Sequence, residues 1–415
     1  MFGKLVGRIC FRIVRMKTCC FVTQEDQNGV VTLIRETILH WPENDDRLMV
    51  LCNQGHWAYE QFQELKKNNK IQIVTTCPFL SCQDICKKIR NKVKHPVVSK
   101  FLRGIVHLLR PLLSIWYVFR LKKLFLEFNV NAVFSHNGGY PGGELNRLAV
   151  IAAKLAGIQK NYMIIHSHPI PISPLFALAH KLEDKLIAFS AMKIFSVSRS
   201  CAKVLQEQRF GNTAVEVITN GFRVESLEDT RKINISPSWR TKKTVIFFVG
   251  DLLRSKGLDV LFDALIGLNE AFTLVLYGSG SEEFTNHLKQ RAGHLKHNQQ
   301  VYFEGYHPNA SYMIKYCDLL VFPPIAEESF GMVLLEAMYW KKPVICSDFG
   351  GMKDIVQHEH TGLVVQAGNA EALQEAISYI INNPDLAKQW GVNGYERLKN
   401  RFDIRHVAEK YYRLS

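Results

Sequence analysis

Ten cysteines, at positions 10, 19, 20, 52, 77, 82, 86, 201, 317 and 346, form no CxxC pair and fall into no Cys/His zinc spacing. That excludes a zinc ribbon and leaves reduced thiols in a cytoplasmic protein as the expectation. No run of eighteen or more uncharged apolar residues occurs, so no transmembrane helix is expected. The opening stretch MFGKLVGRICFRIVRMKTCCF is basic and partly apolar, but Arg8, Arg12 and Arg15 interrupt the apolar core that a cleaved signal needs. Met16, just before the first convincing strand, is a second candidate start. No internal repeat of short period is present.

What is there is an ordinary globular composition, 47% hydrophobic and 22% charged, over 415 residues. That length exceeds one compact core and points to two domains of roughly 200 residues each. A net charge of +14 points to an anionic partner, whether nucleic acid, an acidic membrane surface or a phosphorylated ligand. Short apolar runs alternate with helical patterns: TCCFVT (18–23), RLMVLC (47–52), IQIVTT (71–76), AVFSH (132–136), YMIIHS (162–167), KIFSVS (193–198) and VEVIT (215–219). Strands buried on both faces and separated by helices read as parallel βαβ units. The polar stretch 224–243 interrupts the pattern as a linker. It resumes with TVIFFVG (244–250), TLVLYG (273–278), VYFEG (301–305), LLVFPP (319–324) and PVICSD (343–348). The expectation is two Rossmann-like domains, 1–223 and 240–399, with a terminal helix at 400–415 packing back on the first. Ligands then sit in the cleft at the carboxyl ends of both sets of strands.

One region lacks a charge of one sign. From Lys87 to Lys123 there are eleven Lys and Arg residues and no Asp or Glu, interleaved with Phe101, Leu108, Leu112, Trp116 and Phe119. That mix fits basic amphipathic helices on an anionic bilayer. A core-packed helical hairpin with a solvated basic face is the other reading.

The string EESFGMVLLEAM (327–338) is unusual for a helix. Beyond Phe330 it is apolar on nearly every side, yet it carries Glu336, and Glu328 precedes it by eight positions. A buried carboxylate needs a partner. Ser329 reads as the N-cap, and the free amides of Gly331, Met332 and Val333 make an anion site at the helix start. A nucleotide sugar, with hydroxylated groups on both sides of a diphosphate, would occupy both carboxylates.

Together with KKPVICSDFGGMKDIVQHEHTGLVV, FSVSRSC (195–201), VITNGF (217–222), VGDLLRSKGLDVLFDAL (249–265) and CDLLVFPP (317–324), this string resembles glycosyltransferase family four. These are retaining enzymes of GT-B fold, and the likeness runs over residues 190 to 400. The resemblance implies that Glu328 contacts the donor sugar, that Ser329, Phe330, Gly331, Met332 and Val333 form the phosphate turn, and that Glu336 holds the ribose. Lys256 is implied to neutralise the diphosphate. The Arg that normally follows Gly250 is replaced by Asp251, so Arg254 is the candidate substitute cation. His168 is favoured over His166 as the histidine near the donor sugar. Gly29, in an NG turn, offers backbone approach from the first domain, with Asn28 departing mildly from the family's paired glycines. Gly278 and Gly280, Gly305 and Tyr306, and Gly350 and Gly351 are weaker donor-side candidates, and Asp354 stands where the family commonly has Glu. On the acceptor side stand His136, His166 and the glycine-rich loop SHNGGYPGGE, with Gly138 and Gly139; a loop without chemical role is the alternative there.

The resulting expectation is a retaining, metal-independent hexosyltransferase that needs no cofactor. It would use a nucleotide-diphosphate sugar and a lipid-linked or saccharide acceptor of the lipopolysaccharide or capsule kind, at the inner face of the plasma membrane. No D-x-D metal site appears among the cleft motifs. A GT-B nucleotide-sugar 2-epimerase would share fold and donor. A basic nucleic-acid-binding protein is permitted by charge, but no recognised module is present.

Overall fold

The computed structural model describes residues 17–24, 29–52, 57–67, 71–76, 82–171, 177–224, 239, 243–326 and 328–415. The basic N-terminal stretch, Asn28 and nearly all of the expected linker lie outside them. Seven strands form the first sheet: β1 Thr18–Thr23, β2 Arg47–Cys52, β3 Ile73–Thr76, β4 Ala132–Asn137, β5 Lys160–Ile165, β6 Lys193–Ser196 and β7 Val215–Val217, in the order β3-β2-β1-β4-β5-β6-β7. Six form the second: β8 Thr244–Val249, β9 Phe272–Tyr277, β10 Gln300–Gly305, β11 Leu319–Phe322, β12 Val344–Ser347 and β13 Gly362–Val365, in the order β10-β9-β8-β11-β12-β13.

Every pairing is parallel. The reason is in the residues: strands such as FTLVLY and TCCFVT are buried along their whole length, so helices must cover both faces. The last strand, β13, is the one that the sequence reading passed over. GLVV is short and follows a turn, and its period gives no cue of its own.

Strand order reverses between β1 and β4 in the first sheet and between β8 and β11 in the second. A crevice opens at such a switch point because the two adjoining helices leave on opposite faces. The four segments that border the cleft are those following β1, β4, β8 and β11. They begin near Gly29, Gly138, Gly250 and Glu328 respectively.

The connector and the C-terminus cross between the domains. Phe222 donates its N–H to the Phe402 carbonyl (2.7 Å), and Ile404 returns one to the Phe222 carbonyl (3.0 Å). A Cβ on Gly221 would lie 2.7 Å from the Ile404 side chain, so the crossing admits only glycine. The Ile404–Leu414 helix then packs on the first domain, where Tyr411 covers Phe21, Phe134 and His136.

Residues 82–127 form two helices, Cys82–Lys92 and Pro96–Glu127. The second is 32 residues long, and Tyr117, Val118, Leu121 and Phe125 near its end are buried in the first domain's core. By length and composition alone it is long and apolar enough to cross a membrane, yet its last turns are built into the domain core.

Gly278 takes φ +149°, and a Cβ there would sit 1.8 Å from the Gly250 carbonyl oxygen. Gly278→Ala is expected to lower stability by about 2 kcal/mol or more, through clash and backbone strain together. Thermal unfolding checks this; an unchanged Tm would refute the contact.

Candidate functional site

Two connected cavities occupy the cleft and share Gly29, Asn220 and Met332 as walls. The larger, about 630 Å³, runs from Gly138 and His166 of the first domain to Gly250, Lys256 and the 328–333 segment of the second.

The 328–333 segment is fixed by close backbone packing. A Cβ on Gly350 would lie 1.9 Å from the Glu328 carbonyl oxygen, and one on Gly351 2.6 Å from that of Ser329. The glycine pair therefore gives the turn its room and stands behind it. Gly331 enters the left-handed region (φ +95°) and begins the Met332–Tyr339 helix. Ser329 is not the N-cap. Its hydroxyl accepts instead from the His168 N–H of the opposite domain (2.9 Å), because the left-handed turn at Gly331 carries the chain past capping distance. The Met332 and Val333 amides remain at the mouth of the cavity, where the helix start favours an anion.

Lys256 ends a short 3₁₀ turn, Arg254–Lys256, and donates to Glu328 Oε2 at 2.7 Å. Both side chains are mostly buried, and the other Glu328 oxygen accepts from the Phe330 N–H (3.3 Å). Ammonium, carboxylate and helix start thus meet on one cavity wall. Asp251 lines the same cavity. Arg254 is not brought there: its guanidinium pairs with Asp259 (2.6 Å) and lies over the Phe284 ring, drawn outward by that carboxylate.

The histidines also sort differently from expectation. Strand β5 ends at Ile165, so alternation along a strand does not govern positions 166 and 168. His166 faces the larger cavity; His168 packs near Phe349, and its backbone N–H, given to Ser329 Oγ, ties the two domains across the cleft. His136 is fully buried behind His166, its Nδ1 3.0 Å from His166 Nε2, and cannot reach an acceptor. Burial pushes His166 down to about 4, opposed by a hydrogen bond with Asn220, so the ring is neutral at pH 7.

Gly138 lines the cavity, whereas Gly139 faces Ile170. Gly278 spaces the β8 and β9 loops and Gly280 lies against Leu252, so neither is a cavity wall; Gly305 and the exposed Tyr306 lie outside both cavities. Asp354 accepts from the Arg199 N–H of the first domain (2.7 Å), a second tie across the cleft.

The smaller cavity, about 340 Å³, is closed by Glu336 and Ser311 on one side and by Glu36 and Arg223 on the other. Burial raises the Glu336 carboxyl, with a hydrogen bond to Ser311 pulling the other way, and Glu336 has no ion-pair partner among the described residues. Glu36 is 8% exposed; its Oε2 has no hydrogen-bond partner and stands 3.8 Å from Arg223 Nε. Glu36, Arg223, Asn220 and Ser311 were missed by sequence reasoning. Glu36 sits in an unremarkable helical pattern, and only VITNGF drew notice to its neighbours.

Residues 229–397 match the family model described as glycosyl transferases group 1. The chain is 33% identical to a phosphatidyl-myo-inositol mannosyltransferase of Mycobacterium leprae, over 51% of this chain and 56% of that one. It is 25% identical to the capsular polysaccharide biosynthesis glycosyltransferase CapM of Staphylococcus aureus, over 83% and 89%. It spans just over half the length of the first curated relatives it matches. Among solved structures, a glycosyltransferase of Rickettsia africae superposes with a TM-score of 0.71 at 19% identity, covering 96% of this chain and 97% of that one. HepE of Anabaena in complex with UDP gives 0.65 at 19%, covering 95% and 98%. The fold is GT-B, as the sequence predicts.

A carboxyl whose pKa is higher folded than unfolded binds more protons in the folded state, so stability falls as pH rises above the ordinary carboxylate range. Glu336→Gln is therefore expected to raise the Tm of the ligand-free protein at pH 7 and to leave it nearly unchanged at pH 4. A Tm lowered at pH 7 would show the carboxylate to be satisfied within the protein.

Proposed function

We propose that this chain is a retaining glycosyltransferase that moves a sugar from a nucleotide-diphosphate sugar to a hydroxyl of a lipid-linked or saccharide acceptor. One observation carries the reading. An anion-favouring helix start, a buried lysine and a carboxylate share one cavity wall, and a second, unpaired carboxylate lies in the adjoining cavity. The diphosphate would take the Met332 and Val333 amides with Lys256, the ribose Glu336, and the sugar Glu328. His166 would face sugar or acceptor from the first domain.

In the reaction, the bond from the anomeric carbon to the diphosphate breaks while the acceptor oxygen bonds on the same face. The acceptor's proton passes to the departing phosphate oxygen. Leaving charge is met by fixed donors and one cation, so neither a metal nor a protein nucleophile is invoked. The relatives named for phosphatidyl-inositol and capsule support a lipid or polysaccharide acceptor. The acid-free basic segment 87–123 supports a position on an anionic membrane surface, cytoplasmic side, in envelope polysaccharide synthesis.

A thermal-shift panel of UDP-, GDP-, ADP- and CMP-sugars tests the donor, since ligand binding raises only the folded state's stability. One nucleotide class is expected to raise Tm; none doing so would end the reading. Epimerised donor without acceptor would identify a 2-epimerase. Lys256→Ala is expected to lower kcat by roughly 10²–10³ with the fold intact, the usual cost of losing one fixed charge-stabilising group. Full activity in that variant would remove Lys256 from the mechanism.

A further inference from the structure

The Ala177–Ser190 helix takes no part in the cleft, yet its charges are sorted. Its two acids turn inward. Asp184 is buried, accepting from the Tyr140 hydroxyl (2.5 Å) and from two Arg209 nitrogens (2.9 Å each). Glu183 pairs with Arg147, which is itself buried. Outward the helix shows Lys181 and Lys185 among Leu178 (74% exposed), Leu182, Leu186 and Phe189 (71%). The spacing i, i+4, i+8, i+11 puts those four apolar side chains on one stripe. Met192, just beyond, is exposed as well, and Lys154 lies over the Phe189 ring.

This stripe shares a helical layer with the Pro96–Glu127 helix, the Glu144–Leu155 helix lying between them. Both flank the Glu144–Leu155 helix, one through Arg110–Glu144 (3.2 Å), the other through Arg147–Glu183. The long helix exposes Phe101, Leu108, Leu112, Trp116 and Phe119. Away from this layer and the neighbouring Ile170, the large apolar side chains left exposed among the described residues are only Leu253, Tyr306, Ile325, Tyr379 and Val392. The exposed apolar surface is therefore concentrated on one side of one domain, a pattern that marks an interaction face.

We propose that the outer faces of the Pro96–Glu127 and Ala177–Ser190 helices form a single docking surface for an anionic lipid bilayer, with Leu178, Leu182 and Phe189 entering the acyl boundary. This rests on the membrane half of the reading above and extends it to a helix that the basic segment does not include. Charge selects the occupant. Lys181 and Lys185 beside this stripe, Lys154 of the Glu144–Leu155 helix over Phe189, and the acid-free run of the long helix give the face one sign, which opposes pairing with a second copy and complements anionic headgroups. Each helix leads back to the amino end of the next strand, β4 or β6, so each begins at the edge where the cleft opens. A bilayer on this face holds a lipid-borne hydroxyl beside the cleft mouth.

Flotation of the full chain with phosphatidylcholine vesicles, with and without phosphatidylglycerol, is the test. The wild type is expected to float with the anionic vesicles. Leu182→Glu with Phe189→Glu is expected to lose binding at least tenfold. Lys181→Glu with Lys185→Glu, both at exposed positions that leave the core intact, is expected to lose about thirtyfold or more, two cations at ~1 kcal/mol each. Nucleotide-sugar thermal shifts should be unchanged in both. If both variants float like wild type while Leu108→Glu with Leu112→Glu does not, the Ala177–Ser190 helix is excluded and the long helix alone binds. A wild type that never floats overturns the surface and the membrane reading together, leaving donor binding to stand on its own. A wild-type dimer that the 182/189 variant converts to monomer, by light scattering, assigns the face to a second copy instead.

Discussion

Everything in the cleft depends on how closely the backbone at Gly350 and Gly351 approaches the carbonyls of Glu328 and Ser329. Side chains at either glycine would push the turn out of place. With the turn held there, Gly331 can enter its left-handed conformation, the helix start points into the cavity, and Glu328 reaches Lys256. Steric emptiness at two positions thus sets the electrostatics of a whole wall. The pair Lys256–Glu328 is a poised arrangement: each charge compensates the other in the absence of a ligand, which limits the cost of keeping both away from water.

The smaller cavity works on the opposite principle. Glu336 has no ion-pair partner among the described residues, while Glu36, though ion-paired with Arg35 (3.5 Å) and 3.8 Å from Arg223, keeps an Oε2 without a hydrogen bond, as does Arg223 Nε. Buried polar groups normally find partners, and those that do not are places where the protein holds free energy for something else. Glu36 and Glu336 come from opposite domains, so a ligand that satisfied both would also draw the domains together.

Much of the architecture was legible because both sheets are parallel. Continuous apolar strands punctuated by helices leave few alternatives, and the run EESFGMVLLEAM announced a helix, although the start read at Ser329 falls at Gly331. What remained hidden were facts of placement. Nothing in the pattern His166-Ser167-His168 says which of the two histidines faces a cavity when the strand stops one residue before the first. His166 faces it and His168 serves as a tie for that reason alone. Arg254 looked suitable by position, but Asp259, one turn further on, decides where its guanidinium points. Ser329 had the chemistry of a cap and found its donor in the other domain, a contact across 161 positions that no local pattern encodes. Glu36 is a similar case, meaningful only because the connector brings Arg223 beside it.

The Ile404–Leu414 helix has a consequence for how the molecule is made. Tyr411 packs against Phe21 and Phe134, so part of the first domain's core stays uncovered until the Ile404–Leu414 helix, which follows the whole second domain, has been made. Domains usually fold in the order they leave the ribosome. Here the amino-terminal one waits for the carboxy-terminal one to emerge, and in that interval a chaperone has an apolar sheet face to hold.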